Sequence, residues 1–258
     1  MKNFNKITAK DNPLIKLICS LQTSSKSRKE NGLFVLEGLR ICSDAYDNGI
    51  VFDKLIVSET FLKKQCDSIN LLSQNSGQNF LVTDSLFLKI SDTDSPQGII
   101  ALVKTPEENK NLDKNGRYLA LENIQDPSNL GAISRTAEAL GISGIVLKSC
   151  CDPFSPKSLR ASMGTLLRLP LYLTEDLTAF ITEHSLRSFA CVVDSSAEKI
   201  TSIEFKDGDI LIIGNEANGI TKETADAAHK KITIPMLGSA ESLNAAVAAA
   251  IAMWELKK

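Results

Sequence analysis

Hydrogen-bonding side chains crowd one short stretch of this chain, Leu121-Glu-Asn-Ile-Gln-Asp-Pro-Ser-Asn-Leu-Gly-Ala-Ile-Ser-Arg-Thr-Ala-Glu-Ala-Leu-Gly141. Asn123, Gln125, Asp126, Ser128, Asn129, Gly131, Ser134 and Arg135 all fall in a turn and the first turns of a helix, more polar capacity than a purely structural loop needs. Two later segments share this character: Gly214-Asn-Glu-Ala-Asn-Gly219 and Ile234-Pro-Met-Leu-Gly-Ser-Ala-Glu-Ser-Leu-Asn244. Each of the three follows an apolar, strand-like run. Ligands of parallel α/β sheets bind beyond the carboxyl ends of the strands, so the three segments are expected to build one site.

Several chemistries fit poorly. Gly214–Thr221 nearly matches the phosphate loop G-x-x-x-x-G-K-[ST], but Ile220 stands where the phosphate-binding lysine belongs. No G-x-G-x-x-G follows the first strand of the second half. Gly214 and Gly219 can be read simply as turn glycines, which does not stop their backbone amides from serving a ligand. The two histidines, His184 and His229, lie far from any serine of the polar segments and read as surface residues. Cys150-Cys151 shows no context that would lower a thiol pKa and reads as strand-end packing. Cys19, Cys42, Cys66, Cys150, Cys151 and Cys191 form no C-x-x-C pair, so no metal is expected. What remains is a site of Asn, Ser, Glu, Arg and glycine amides. Such a site suits an electrophile that arrives already activated, and methyl transfer from a sulfonium donor fits, because an aligned acceptor matters there more than strong acid catalysis.

These residues need a scaffold. Residues 104–117 are polar and carry Pro106 and Gly116, which marks a linker. Before it, helices are expected at Pro13–Leu21 and Leu39–Asn48, and short buried strands at Phe34–Leu36, Leu55–Val57, Phe80–Val82 and Ile99–Val103. After it, strands at Tyr118–Leu121, Ile145–Leu147, Phe189–Val193, Ile210–Ile213 and Lys231–Ile234 alternate with helices, notably Leu130–Leu140 and Leu177–Leu186. This alternation predicts a mostly parallel sheet with helices on both faces. The last helix, about Leu243–Leu256, is apolar all round and is expected to be buried or to lie at a subunit interface.

The chain has 258 residues, 43% of them apolar, and a formal net charge of -2. The total charge does not mark a nucleic-acid binder, but its distribution is uneven. Lys2, Lys6, Lys10, Lys16, Lys26, Arg28 and Lys29 face only Asp11 and Glu30 in residues 1–30, a segment that could contact phosphate or simply be a solvated basic surface. The opening Met-Lys-Asn-Phe-Asn-Lys lacks an apolar signal core and no run reaches membrane-spanning length, so a cytoplasmic protein with reduced thiols and no membrane association is expected.

Across almost its whole length the sequence resembles the SpoU (TrmH-like) branch of the SPOUT RNA ribose 2'-O-methyltransferases. Asn129-x-Gly131-x-x-x-Arg135-Thr136, Gly214-Asn-Glu216-x-x-Gly219, and Ile234-Pro-Met236 followed by Ser242-Leu-Asn244 match that family's three motifs in order. Phe34-Val-Leu-Glu37-Gly38-x-Arg40 and Gln97-Gly98-Ile99 resemble its substrate-binding domain, which is similar to ribosomal protein L30e. The resemblance implies an α/β fold whose C-terminal sheet carries a deep trefoil knot, a feature that sequence physics would not suggest because knots are nearly absent from proteins. It implies S-adenosylmethionine as methyl donor, bound by Gly214, Ile234, Met236 and Leu243. It places Arg135, Asn129, Glu216, Ser242 and Asn244 on the family's catalytic and structural polar positions. Arg135 is expected to clamp a phosphate and orient the 2'-hydroxyl rather than act as a base, since a guanidinium stays protonated. Ser242 is expected to cap the last helix, to take part in catalysis, or both. Ala245-Ala246 depart from a Val-Ser pair that many members carry. Residues 1–105 would then bind RNA, 106–116 would link, and 117–258 would form the methyltransferase domain of a homodimer. Ribosomal RNA is the favoured substrate; transfer RNA, base methylation and a non-catalytic RNA-binding role are the alternatives.

Overall fold

The computed structural model describes residues 3–64, 66–107 and 111–258; Lys2 of the basic segment and residues 108–110 of the expected linker lie outside the described residues. The chain divides into two units. One comprises the described residues up to Pro106 together with Phe154–Arg160, and the other runs from Glu107 to Pro153 and from Ala161 to Lys258.

The first unit is built on strands β1 (Asn5–Ile7), β2 (Leu33–Glu37), β3 (Phe52–Ser58), β4 (Ser76–Val82) and β5 (Ile99–Lys104), in the order β1-β4-β3-β5-β2. Strands β1, β4 and β3 run parallel, and β5 is antiparallel to β3 and β2. Its helices are α1 (Pro13–Thr23), α2 (Ser25–Asn31), α3 (Leu39–Asp47), α4 (Glu59–Lys64), α5 (Cys66–Gln74) and α6 (Asp84–Ile90). The sequence pattern anticipates α1, α3 and four of these strands. Helix α1 starts where it does because Asn12 accepts a hydrogen bond from Leu14 N and Pro13 occupies the first helical position. Strand β1 and helices α2, α4, α5 and α6 escape the sequence pattern; all but α5 are too short for periodicity to reveal.

The cations of the N-terminal segment are partly used within the fold. Arg28 is buried and donates to the Leu21 carbonyl, while Lys6, Lys16 and Lys26 pair with Glu59, Asp11 and Glu30. The basic face is therefore narrower than the count of lysines implies. In the same unit Glu37 accepts hydrogen bonds from Ser91 Oγ, Thr93 Oγ1 and Asp92 N, and Gln97 Oε1 accepts from Leu39 N. These two motif residues thus fix the loops around α3.

The second unit contains an all-parallel sheet of β6 (Tyr118–Glu122), β7 (Gly144–Lys148), β8 (Leu171–Thr174), β9 (Arg187–Cys191), β10 (Glu198–Lys199), β11 (Asp209–Ile213) and β12 (Lys230–Thr233), ordered β10-β12-β9-β11-β6-β7-β8. Its helices are α7 (Pro127–Ala139), α9 (Leu177–Glu183), α10 (Lys222–Ala227) and α11 (Ala245–Lys257), whereas α8 (Pro156–Ser162) belongs mostly to the first unit, which takes Phe154–Arg160. Alternation along the strands sends Leu119, Leu121, Ile145, Leu147, Leu211 and Ile213 into a core shared with α7 and α11. Tyr118, Ala120, Val146, Ile210 and Ile212 face the opposite way, toward Leu177 and Phe180 of α9. Burial on both faces explains why these strands read as continuous apolar runs. Strands β8 and β10 escape the sequence pattern, being short and partly exposed.

Successive strands step outward from β6 to β7 and β8 on one side, whereas β9, β11 and β12 lie on the other. Strand order therefore reverses at β6, and the loops leaving β6 and β11 diverge at a topological switch point, where open α/β sheets bind ligands. Helix α11 buries Ala245, Ala249, Ala252, Met253 and Leu256 but leaves Val247, Ile251 and Trp254 exposed. No helix among the described residues is long and apolar enough to cross a membrane.

Candidate active site

The three polar segments meet at Asn129. Helix α7 begins at Asp126, whose carboxylate accepts from Ser128 N at 2.8 Å, with Pro127 at the first helical position. That start places Asn129 in the first turn, buried. Its Nδ2 donates to Glu216 Oε1 at 2.7 Å, and its Oδ1 accepts from Asn244 Nδ2 at 3.1 Å. Asn244 in turn caps α11, its Oδ1 accepting from Ala246 N and Val247 N. One carboxamide thus joins the loop after β6, the loop after β11 and the segment before α11, using both its donor and its acceptor.

A second asparagine shapes the β11 loop. Asn215 Nδ2 donates to the Asn123 carbonyl at 2.8 Å, while its Oδ1 accepts from Ala217 N and Asn218 N. Backbone bonds between Asn215 and Gly219 close the turn. Gly214 is required by contact: a Cβ there would lie 2.1 Å from the Gly219 carbonyl carbon. Gly131 is required likewise, because its Cβ would fall 2.5 Å from the backbone of Ala161. Ser134 holds the same helix from within, donating to the Gly131 carbonyl and sharing a 2.7 Å hydrogen bond with Thr165 Oγ1.

Glu122 underpins this loop and was not singled out from the sequence. It is fully buried at the end of β6 and accepts from Lys148 Nζ at 2.8 Å, Thr221 N at 2.9 Å and Thr224 Oγ1 at 2.8 Å. Burial pushes its pKa up, but the Lys148 ammonium and the threonine donors outweigh that and hold it below the ordinary carboxylate range. The carboxylate therefore stays charged and pins Thr221, two residues beyond Gly219, to the ends of β6 and β7. Its place directly before Asn123 in the polar stretch is the sequence signal that could have pointed to it.

Of the expected site residues, Asn129, Glu216 and Asn244 are brought together by direct hydrogen bonds. Gly214 is buried beside them at the end of β11, and Ile234, Met236 and Leu243 are half-buried along the segment that leads to Asn244. Among the described residues no backbone–backbone hydrogen bond involves residues 235–243, a mostly exposed segment whose amides and carbonyls face solvent. Arg135 is exposed on α7, and its guanidinium is not bonded to that cluster. Ser242 is exposed and does not cap α11, because Asn244 occupies that position; the capping expectation for Ser242 is corrected accordingly.

The other nucleophile candidates are structural. Cys150 Sγ donates to the Leu121 carbonyl, and burial pushes its thiol up to about 12. His184 bonds the Phe180 carbonyl at the end of α9, and His229 packs edge-on against Phe189.

Residues 116–254 match the SpoU rRNA Methylase family, and residues 12–101 match the MRM3-like substrate binding domain. An uncharacterized tRNA/rRNA methyltransferase of Synechocystis sp. is 30% identical over 256 residues, spanning 98% of this chain and 93% of that protein. The 23S rRNA (guanosine(2553)-2'-O)-methyltransferase RlmP of Bacillus subtilis is 28% identical over 239 residues, spanning 91% of this chain and 92% of that protein. An AdoMet-bound rRNA methyltransferase from Sinorhizobium meliloti has the same fold, with a TM-score of 0.85 and 29% identity over 98% of this chain and 97% of the other. With the motif residues gathered at the switch point of the sheet and a family match over more than half its length, this chain belongs to the SpoU rRNA methylase family.

Proposed function

We propose that this protein is an S-adenosylmethionine-dependent RNA 2'-O-ribose methyltransferase acting on ribosomal RNA. The observation that carries the reading is the convergence of Asn129, Glu216 and Asn244 at the carboxyl ends of β6 and β11. The ribose and ribosomal assignments are supported by the Bacillus subtilis relative, a 23S rRNA 2'-O-methyltransferase.

The residues present fit the methyl donor. Half-buried Ile234, Met236 and Leu243 offer apolar surface, and the backbone of 235–243, free of internal backbone–backbone bonds, offers donors and acceptors for a polar, zwitterionic nucleoside. Gly214 lets the β11 loop close on itself. When bound, S-adenosylmethionine supplies a methyl group activated by its sulfonium charge. The chain's own contribution is positioning, which carries much of the barrier reduction when the electrophile is pre-activated. Asn129 and Glu216 hold the acceptor side of the site. Arg135 clamps a backbone phosphate and orients the 2'-hydroxyl through its forked donors. Ser242, exposed beside Asn244, has a hydroxyl available to substrate.

The same reading includes the trefoil knot of the SPOUT fold and a homodimer formed through the knotted domain, for which the exposed Val247, Ile251 and Trp254 stripe on α11 supplies apolar surface. Residues 1–105 present the RNA, 106–116 link, and 117–258 carry out transfer, in the cytoplasm. Incubating the purified chain with S-adenosylmethionine and unmodified ribosomal RNA, then mapping the product by nuclease digestion and mass spectrometry, tests the proposal. A 2'-O-methylated nucleoside is expected. A methylated base overturns the ribose assignment, methylation of transfer RNA alone overturns the substrate, and absence of donor binding in calorimetry overturns catalysis.

A further inference from the structure

A cavity of about 520 Å³ opens in the first unit, between the start of α3, the start of α4, helix α6 and the loop before β5. That volume falls within the roughly 300–1,000 Å³ typical of small-molecule sites. Its floor is built from Ser58 and Phe61, against which Gly98 packs so closely that a Cβ would lie 2.6 Å from Ser58 Oγ. Gly98 also has φ of +104°, a conformation that glycine alone adopts readily. Both features make glycine a packing requirement at this edge of the cavity.

The lining is mixed. Leu88 on α6 is 62% exposed and gives the cavity an uncovered apolar wall. Asp84 gives it a carboxylate already oriented by Thr60, whose N and Oγ1 donate to its two oxygens at 3.1 and 2.6 Å. Those same Thr60 donors keep Asp84 ionised, holding it below the usual carboxylate range. The Gln97 amide is oriented as well, because its Oε1 accepts from Leu39 N at 2.7 Å and so leaves the Nε2 end as a donor. Lys64 stands on the lining and exposed Arg40 follows Leu39 directly, so cations border an otherwise apolar and hydrogen-bonding cleft.

We propose that this cavity receives one unstacked nucleotide of the RNA, held by a base edge that carries an N–H beside a carbonyl, as in guanine or uracil. The inference rests on the RNA-methyltransferase reading and deepens it. Sequence-specific RNA recognition targets single-stranded bases that can be splayed out, packed on side chains and read on their Watson–Crick edge. Leu88 offers the packing surface. Asp84 accepts from the ring N–H, and the Gln97 amide or the Lys64 ammonium donates to the neighbouring carbonyl. Adenine and cytosine lack the ring N–H and could meet Asp84 only through the exocyclic amino group, with the ring nitrogen turned to the Gln97 amide or Lys64. Arg40 and Lys64 are placed to meet the flanking phosphates.

The full-length protein tests this with unmodified 23S ribosomal RNA transcribed in vitro as the probe. Leu88→Glu changes an exposed side chain, so the fold should persist, and Asp84→Asn keeps the shape while removing the charge. Each is expected to weaken RNA binding about tenfold in a filter assay and to raise KM for RNA, with calorimetric affinity for S-adenosylmethionine unchanged. Transcripts carrying 4-thiouridine or 6-thioguanosine should crosslink to cavity residues on irradiation, and the reactive transcript identifies the base. Wild-type RNA affinity in both variants, or crosslinks confined to other surfaces, overturns the cavity. A wild-type chain that crosslinks there but transfers no methyl group overturns the activity reading instead and leaves the cavity standing.

Discussion

Asn129 Nδ2 donates to Glu216 Oε1 at 2.7 Å across 87 residues of sequence, and the same carboxamide accepts from Asn244. The bond ties the first turn of α7 to the loop after β11. Replacing Asn129 with Ala removes both links while changing little of the core. Methyl transfer should fall about 10²-fold, the scale expected when a reactive geometry slips by about 1 Å. Single-turnover assays with labelled donor measure this. Activity within twofold of wild type would show that the bond is dispensable.

Arg135 is exposed on α7, so its substitution should leave stability within about 0.5 kcal/mol. Arg135→Lys keeps the charge but loses the planar fork that grips phosphate in two places. We expect kcat to drop at least tenfold with donor affinity intact, as read by steady-state assay and calorimetry. Near-full activity in the lysine variant would rule out any role specific to the guanidinium.

Glu122 makes a pH prediction with a definite sign. Its pKa in the fold lies below the ordinary carboxylate range, so its stabilisation is fully present above the unfolded-state value and disappears as pH falls through the lower folded-state value. Glu122→Ala leaves the Lys148 ammonium without its partner and should cost about 3–5 kcal/mol at pH 7. The difference between variant and wild type should shrink in urea melts as the pH drops below the carboxylate range. A gap that stays constant down to acid pH would mean the carboxylate charge is not the source.

The exposed stripe on α11 sets an oligomer prediction. Val247, Ile251 and Trp254 are 48%, 37% and 57% exposed on a helix whose other side is buried. Trp254→Glu places a charge in that stripe. Light scattering coupled to size exclusion should find the wild type as a dimer and the variant as a monomer at micromolar concentration. A monomeric wild type would remove the homodimer from the proposed mechanism.

Much of the molecule is legible in its residues. Apolar runs bounded by polar turns give the central strands β6, β7 and β11, because burial on both faces leaves few polar positions inside them, and shorter apolar runs mark β9 and β12. The expected helix at Leu130–Leu140 falls within α7, although the Asp126 cap starts it three residues earlier, at Pro127, and the motif residues Asn129, Glu216 and Asn244 are recognisable by type and spacing. Short or half-exposed elements are not legible: β8 and β10 carry too few buried positions to show a period.

What the tertiary structure alone decided is who touches whom. Sequence could propose that three polar segments share a site, but not that one amide, Asn129, bridges the other two, since that depends on β11 being inserted beside β6 in the sheet. Nor could it show Glu122 as the buried anchor of the β11 loop, because a lone carboxylate at a strand end looks solvated until Lys148 and Thr221 close around it. It left Ser242 open as a helix cap, which the position of Asn244 excludes. Residue type and local spacing set which groups are available, while strand order, a non-local property, sets which of them meet.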